Sequence, residues 1–91
     1  MDEFSTFFLE SNITLSNEQK AMLHRFAETL INAVKVYPDK NDELIMRSKE
    51  YEELARFVSS IFRINKKNMS EFVWRTIIVG VIGQARRTPN Y

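Results

Sequence analysis

Residues 72–84 read FVWRTIIVGVIGQ, the most apolar stretch of the chain, and their one charged side chain is Arg75. Two features of this stretch favour a strand. Most of its residues are β-branched, a type that is enriched in strands. Gly80 and Gly83 would each cost a helix about 1 kcal/mol relative to alanine.

Three other observations favour a helix over the same residues. No other segment has strand character, so a strand here would lack a partner within the chain. Asn68 and Ser70 precede the stretch and are good N-cap residues. Arg86 and Arg87 follow it and suit the negative end of a helix dipole. We therefore predict that residues 72–84 belong to a long last helix, which is the central packing element of the fold.

This helix is predicted to have two apolar sides. At about 100° per residue, the side predicted to face the core carries Val73, Trp74, Ile77, Ile78, Val81, Ile82 and Ala85. The opposite side carries Phe72, Thr76, Val79, Gly80 and Gly83. A helix that is apolar nearly all round is normally buried. The second side therefore needs a cover, which is either the short N-terminal helix or another copy of the protein.

Three further helices are predicted upstream. The first is short, is capped by Asp2 and presents the apolar residues Phe4, Phe7, Phe8 and Leu9. The second begins with a capping box formed by Ser16 and Gln19, and it ends before Pro38. The third begins after the N-cap residue Asn41. The stripe predicted to face the core follows alternating spacings of four and three residues and comprises Leu44, Ser48, Tyr51, Ala55, Val58 and Phe62, with Leu54 and Ile61 alongside. Asn65 is expected to end it in a left-handed conformation.

The predicted fold is therefore all-α. It is a small helical bundle with a short N-terminal helix plus three long antiparallel helices, because short connections place consecutive helices side by side. We expect one helical domain over residues 1–87 and a flexible C-terminal tail over residues 88–91.

Composition excludes several classes of function. The chain has no cysteine and one histidine, His24, which is expected on a solvated helix surface. Neither a catalytic nor a metal-binding constellation can be assembled, so we expect no enzyme activity, no cofactor and no metal. Asp2 and Glu3 replace the positive start of a signal peptide. No apolar run approaches the ~20 residues of a membrane span. We expect a cytoplasmic protein.

Charge is distributed unevenly along the chain. Residues 1–34 carry two cations and five carboxylates, whereas residues 64–91 carry five cations and one carboxylate, within a net charge of +1. The cations available for an anion are Arg63, Lys66, Lys67, Arg75, Arg86 and Arg87. Their ordinary explanation is that cations stabilise helix C-termini. The alternative is an anion site, which would require these side chains to share one face.

The order of elements resembles that of two families. Phe7 and Phe8 in a short aromatic helix, the helix start between Leu15 and Leu23 and the apolar last helix are similar to the layout of small YmgB/AriR-type bacterial regulators. The size and four-helix plan are similar to those of bacteriocin immunity proteins. The likeness is one of layout, and no functional residue follows from it.

The sequence therefore predicts a non-enzymatic adaptor, regulator or inhibitor that acts by binding a protein and forms a homodimer. The surface predicted for self-association or partner binding is the second side of the last helix. The alternative is binding of nucleic acid or an anionic nucleotide by the basic C-terminal third.

Overall fold

The computed structural model describes residues 3–37, 39 and 41–87, and helices are the only regular structure among them. The elements are α1 (Glu3–Glu10), α2 (Asn17–Val36), α3 (Asp42–Ile45), α4 (Lys49–Ile64) and α5 (Glu71–Arg87). The all-α prediction is confirmed. The antiparallel course of the long helices stays a prediction. The predicted tail, residues 88–91, and the predicted cap Asp2 lie outside the described residues.

The start of α2 matches its sequence signature. The Gln19 backbone N–H donates to Ser16 Oγ at 3.1 Å, and the Ser16 N–H donates to Gln19 Oε1 at 2.9 Å. These reciprocal bonds form the predicted capping box and satisfy backbone donors that the first turn leaves open. Glu18 adds a negative charge at the positive end of the helix dipole.

The prediction of one continuous third helix is wrong. Asn41 does cap a helix, but α3 ends at Ile45 and α4 begins after Ser48. The Ser48 hydroxyl donates to the Ile45 carbonyl at 2.6 Å and accepts from the Tyr51 N–H at 3.2 Å. One side chain thus ends α3 and starts α4. Ile45 of the short helix is buried, whereas Leu44, which was predicted for the core stripe, is exposed.

The connection between α4 and α5 also differs from its prediction. Asn65 has φ −85°, and Lys66 takes the left-handed conformation instead, with φ 56°. The Lys66 N–H donates to the Arg63 carbonyl at 3.0 Å, and the Lys67 N–H donates to the Phe62 carbonyl at 2.9 Å. This pair of bonds is a Schellman motif. Asn65 stabilises the end of α4 with its side chain instead, because its Nδ2 donates to the Ile61 carbonyl at 2.8 Å.

The last helix begins at Glu71, so of its two predicted caps Ser70 is the one used. The Val73 N–H donates to Ser70 Oγ at 3.4 Å, and the Trp74 N–H donates to the Ser70 carbonyl at 2.9 Å. The capping role predicted as an alternative for Asn68 is not formed, because the chain is not helical at residues 67–70.

The core lies between α2, α4 and α5, and α2 packs against both of the others. The central element is therefore α2, not the last helix as predicted. The long helices bury Leu23, Ala27, Leu30 and Val34 from α2, Leu54, Val58, Ile61 and Phe62 from α4, and Trp74, Ile78, Val81, Ile82 and Ala85 from α5. Two predicted core residues lie at the margin, since Ile77 is only partly buried and Val73 is 37% exposed.

The aromatic residues of α1 complete the core, whereas Leu9, which was predicted for the same apolar face, is 69% exposed. The ring centroid of Phe7 lies 5.2 Å from that of Phe62 and 5.8 Å from that of Trp74, so Phe7 contacts both α4 and α5. Phe4 lies 5.9 Å from Trp74, and Phe8 lies 5.5 Å from Phe62. These rings hold α1 against the core side of α5.

Candidate interaction surfaces

The first candidate surface is the side of α5 that faces away from the core. We call it the outer face of α5, and it consists of Phe72, Thr76, Val79, Gly80 and Gly83. Phe72 is 82% exposed, the largest value among the large apolar side chains that the structure describes, and Val79 is 39% exposed. A methyl group on Gly80 would meet no heavy atom within 4 Å beyond its own stretch of helix. The face is therefore apolar and shallow.

The polar groups of the outer face are bonded within α5. The Thr76 hydroxyl donates to the Phe72 carbonyl at 2.9 Å. At the C-terminal end, Arg87 Nε donates to the Gly83 carbonyl at 3.2 Å. The same guanidinium lies 3.6 Å from where a methyl group on Gly83 would be. Arg87 thus borders the face and limits its open part to Phe72, Thr76, Val79 and Gly80.

The N-terminal helix does not cover this face. Its Phe4 and Phe7 contact Trp74. Trp74 lies about 200° around the helix axis from Phe72 at 100° per residue. Of the two covers that the sequence allows, α1 is therefore excluded within the described residues.

Two of the basic side chains that flank the face are ion-paired with α3. Arg75 pairs with Glu43, and Arg86 Nη1 lies 3.2 Å from Asp42 Oδ1. The short helix α3 thus places Asp42 and Glu43 beside α5, where each carboxylate pairs with an arginine of that helix.

The second candidate surface is a cleft of about 490 Å³ at the connection between α4 and α5. We call it the cationic cleft, because Arg63, Lys66 and Lys67 line it beside the amide residue Asn68. Among the described residues, its only acidic lining residue is Glu71, so three positive charges stand against one negative charge. Ser59, Phe62 and Met69 complete the lining.

The six cations predicted for an anion site therefore do not share one face. Arg63, Lys66 and Lys67 lie together in the cleft, where Glu71, the first residue of α5, also lies. Arg86 and Arg87 lie at the far end of α5, about 24 Å along its axis at 1.5 Å per residue. Arg75 pairs with Glu43 between these two groups. Three of the six predicted cations therefore lie in one cleft, and the three arginines of α5 lie elsewhere.

A third surface feature was missed by sequence reasoning. Phe26 of α2 and Phe57 of α4 have ring centroids 5.2 Å apart, and they line an open groove of about 580 Å³ with Glu53, Arg56 and Arg63 at its edges. Phe57 lies off the main apolar stripe of α4, so only its unusual size among polar neighbours could have indicated the groove.

Groups suited to catalysis or metal binding are dispersed. His24 is exposed on α2, with Nε2 3.9 Å from Glu28 Oε1 one turn later. Among the described residues, no three histidine, aspartate or glutamate side chains converge on a metal-sized site. None of the helices described is both long and apolar enough to cross a membrane.

No protein-family model, curated protein or solved structure matches the chain. The resemblances in layout therefore carry no functional argument, and function must be argued from the surfaces themselves, chiefly the outer face of α5 and the cationic cleft.

Proposed function

We propose that the chain is a non-enzymatic adaptor, regulator or inhibitor that acts by protein–protein binding, and that it forms a homodimer through the outer face of α5. The observation that carries the proposal is the 82% exposure of Phe72 on a face that α1 leaves uncovered. Large exposed apolar patches commonly mark sites of protein association. A cytoplasmic location, expected from the sequence, belongs to the same proposal.

A second copy is the occupant that the face fits best. A two-fold axis would place each apolar side chain against the same apolar patch of the partner, which is the commonest way in which proteins form oligomers. The bare surface at Gly80 lets another helix backbone approach closely. Arg75 and Arg86 are paired with Glu43 and Asp42. Two copies would therefore bring together balanced charges at this edge of the face.

The exposed apolar area of Phe72 and Val79 is small, which indicates weak association. Fully burying a valine or phenylalanine side chain is worth about 1.5–3 kcal/mol. Scaled by exposures of 82% for Phe72 and 39% for Val79, this is about 4–7 kcal/mol for the four side chains of a dimer. Association itself costs about 4–15 kcal/mol. The two side chains therefore offset only the lower part of this cost, and further contacts around Gly80 must supply the remainder.

Sedimentation velocity from about 1 µM to 1 mM, which covers association free energies of about 4–8 kcal/mol, tests the proposal. We expect wild type to shift from monomer to dimer. We expect Val79→Lys to stay monomeric, because it places a charge where two chains meet. The matched control is Val36→Lys, which adds the same charge at an exposed position on α2.

Circular dichroism of all three proteins verifies the fold. Wild type that is monomeric at every concentration would reject the dimer. Equal loss of association in both lysine variants would show that net charge, rather than the outer face of α5, controls it.

A further inference from the structure

The three basic side chains of the cationic cleft differ from the arginines of α5, each of which bonds a partner within the described residues. Arg75 and Arg86 are paired with α3, and Arg87 bonds to the Gly83 carbonyl. Within the described residues, no carboxylate forms an ion pair with Arg63, Lys66 or Lys67. Their three charges face one concave surface instead.

Lys66 occupies a backbone position that lysine does not favour. Its φ of 56° is left-handed, a region where glycine or asparagine is usual at the end of a helix. The other Schellman motif of the chain follows this rule, since Asn12 has φ 58° after α1. Residues held in such conformations often serve function. The side chain at position 66 lines the cleft, which gives a reason for a lysine there.

We propose that the cationic cleft binds the phosphate groups of a small polyphosphate-bearing molecule. Arg63, Lys66 and Lys67 neutralise and hydrogen-bond the phosphate oxygens, and Asn68 offers an additional amide donor. The inference does not rest on the proposed dimer, because no residue of the outer face of α5 lines the cleft.

A small molecule fits these observations better than nucleic acid. Affinity for a nucleic-acid backbone grows with the number of phosphates that are neutralised. The cleft offers only three cations, and Arg75 and Arg86 are already paired with α3. The one aromatic residue of its lining, Phe62, is buried and has no free ring face for stacking a base. Compact polyphosphates instead concentrate several negative charges within one cleft.

The position of Lys66 allows a test that separates binding from a purely structural role. Lys66→Gly relieves the left-handed backbone, so the melting temperature should rise by about 3–6 °C. The same variant should bind inorganic tripolyphosphate about three- to tenfold more weakly, because one charged donor is lost. A lysine that merely ends α4 would give the rise in melting temperature with unchanged binding, and that result would overturn the proposal.

A matched pair of triple variants tests the site as a whole. R63Q/K66Q/K67Q removes the three cleft cations, and K20Q/R25Q/K49Q removes two lysines and one arginine from exposed positions elsewhere. Calorimetric titration with tripolyphosphate, at low and at physiological salt, is expected to show at least a tenfold loss for the cleft variant and little change for the control. Glu71→Gln should bind more tightly, because it removes the one opposing carboxylate.

Amide NMR of wild type titrated with tripolyphosphate is expected to shift signals of residues 63–71 first. Parallel titrations with adenosine triphosphate and with a single-stranded oligonucleotide distinguish the sources of phosphate. No binding of tripolyphosphate by wild type would overturn the proposal, and so would equal losses in the two triple variants. Binding of the oligonucleotide alone would overturn the assignment to a small molecule.

Discussion

Gly80→Ala provides a sharp test of the outer face of α5, because its expected effects on the monomer and on the dimer are opposite. Gly80 lies inside a 17-residue helix, has no positive φ, and leaves open space where a methyl group would be. Glycine in such a position destabilises a helix by about 0.5–1 kcal/mol relative to alanine. In the isolated monomer the substitution should therefore be stabilising.

The expected gain can be measured by thermal and urea unfolding. A gain of 0.5–1 kcal/mol corresponds to a rise in melting temperature of about 2–8 °C for a domain of this size. The protein concentration must be kept near 1 µM, since association would add its own stabilisation. The urea m-value should not change, because the surface exposed on unfolding is nearly the same.

Sedimentation of the same variant at high concentration measures self-association, on which the opposite effect is expected. A methyl group on Gly80 would hold two backbones apart, so Gly80→Ala should self-associate more weakly than wild type. Gly83→Ala is the comparison at the edge of the face: its methyl group would lie 3.6 Å from the Arg87 guanidinium, which already borders that position, so self-association should weaken less than in Gly80→Ala. An unchanged or lower melting temperature for Gly80→Ala would refute the reasoning, since it would mean that the space at Gly80 is filled in the monomer.

Two further predictions concern the stability of the fold. Tyr51→Phe removes the oxygen that accepts from Trp74 Nε1 at 2.9 Å; leaving this buried donor without a partner should cost about 1–3 kcal/mol in urea unfolding, and an unchanged unfolding midpoint would mean that water replaces the hydroxyl. Ser48→Ala should cost about 1–2 kcal/mol because the hydroxyl serves both α3 and α4, more than Ser16→Ala, whose hydroxyl caps α2 alone. Equal losses in the two alanine variants would contradict a double role for Ser48.

The sequence by itself determined the features that depend on neighbouring residues. The capping box of Ser16 and Gln19 forms as predicted because both partners lie within one turn. The 3.6-residue period placed Trp74 and Ile78 in the core and Phe72 on the opposite side, and their burial agrees. Local signals, the N-cap residue Ser70 and the C-terminal Arg86 and Arg87, also favoured a helix at residues 72–84 against the β-branched composition, and that helix forms.

Only the tertiary structure decided the features that depend on distant contacts. Arg75 pairs with Glu43 across 32 positions of sequence, and no rule of helical spacing could select that partner. The break at Ser48 is favoured by burial of Ile45 as well as by the serine itself. The central place of α2 depends on how three apolar stripes pack together, which no single stripe specifies. The cationic cleft arises in the same way, because the turn at Lys66 and the start of α5 bring its residues to one side.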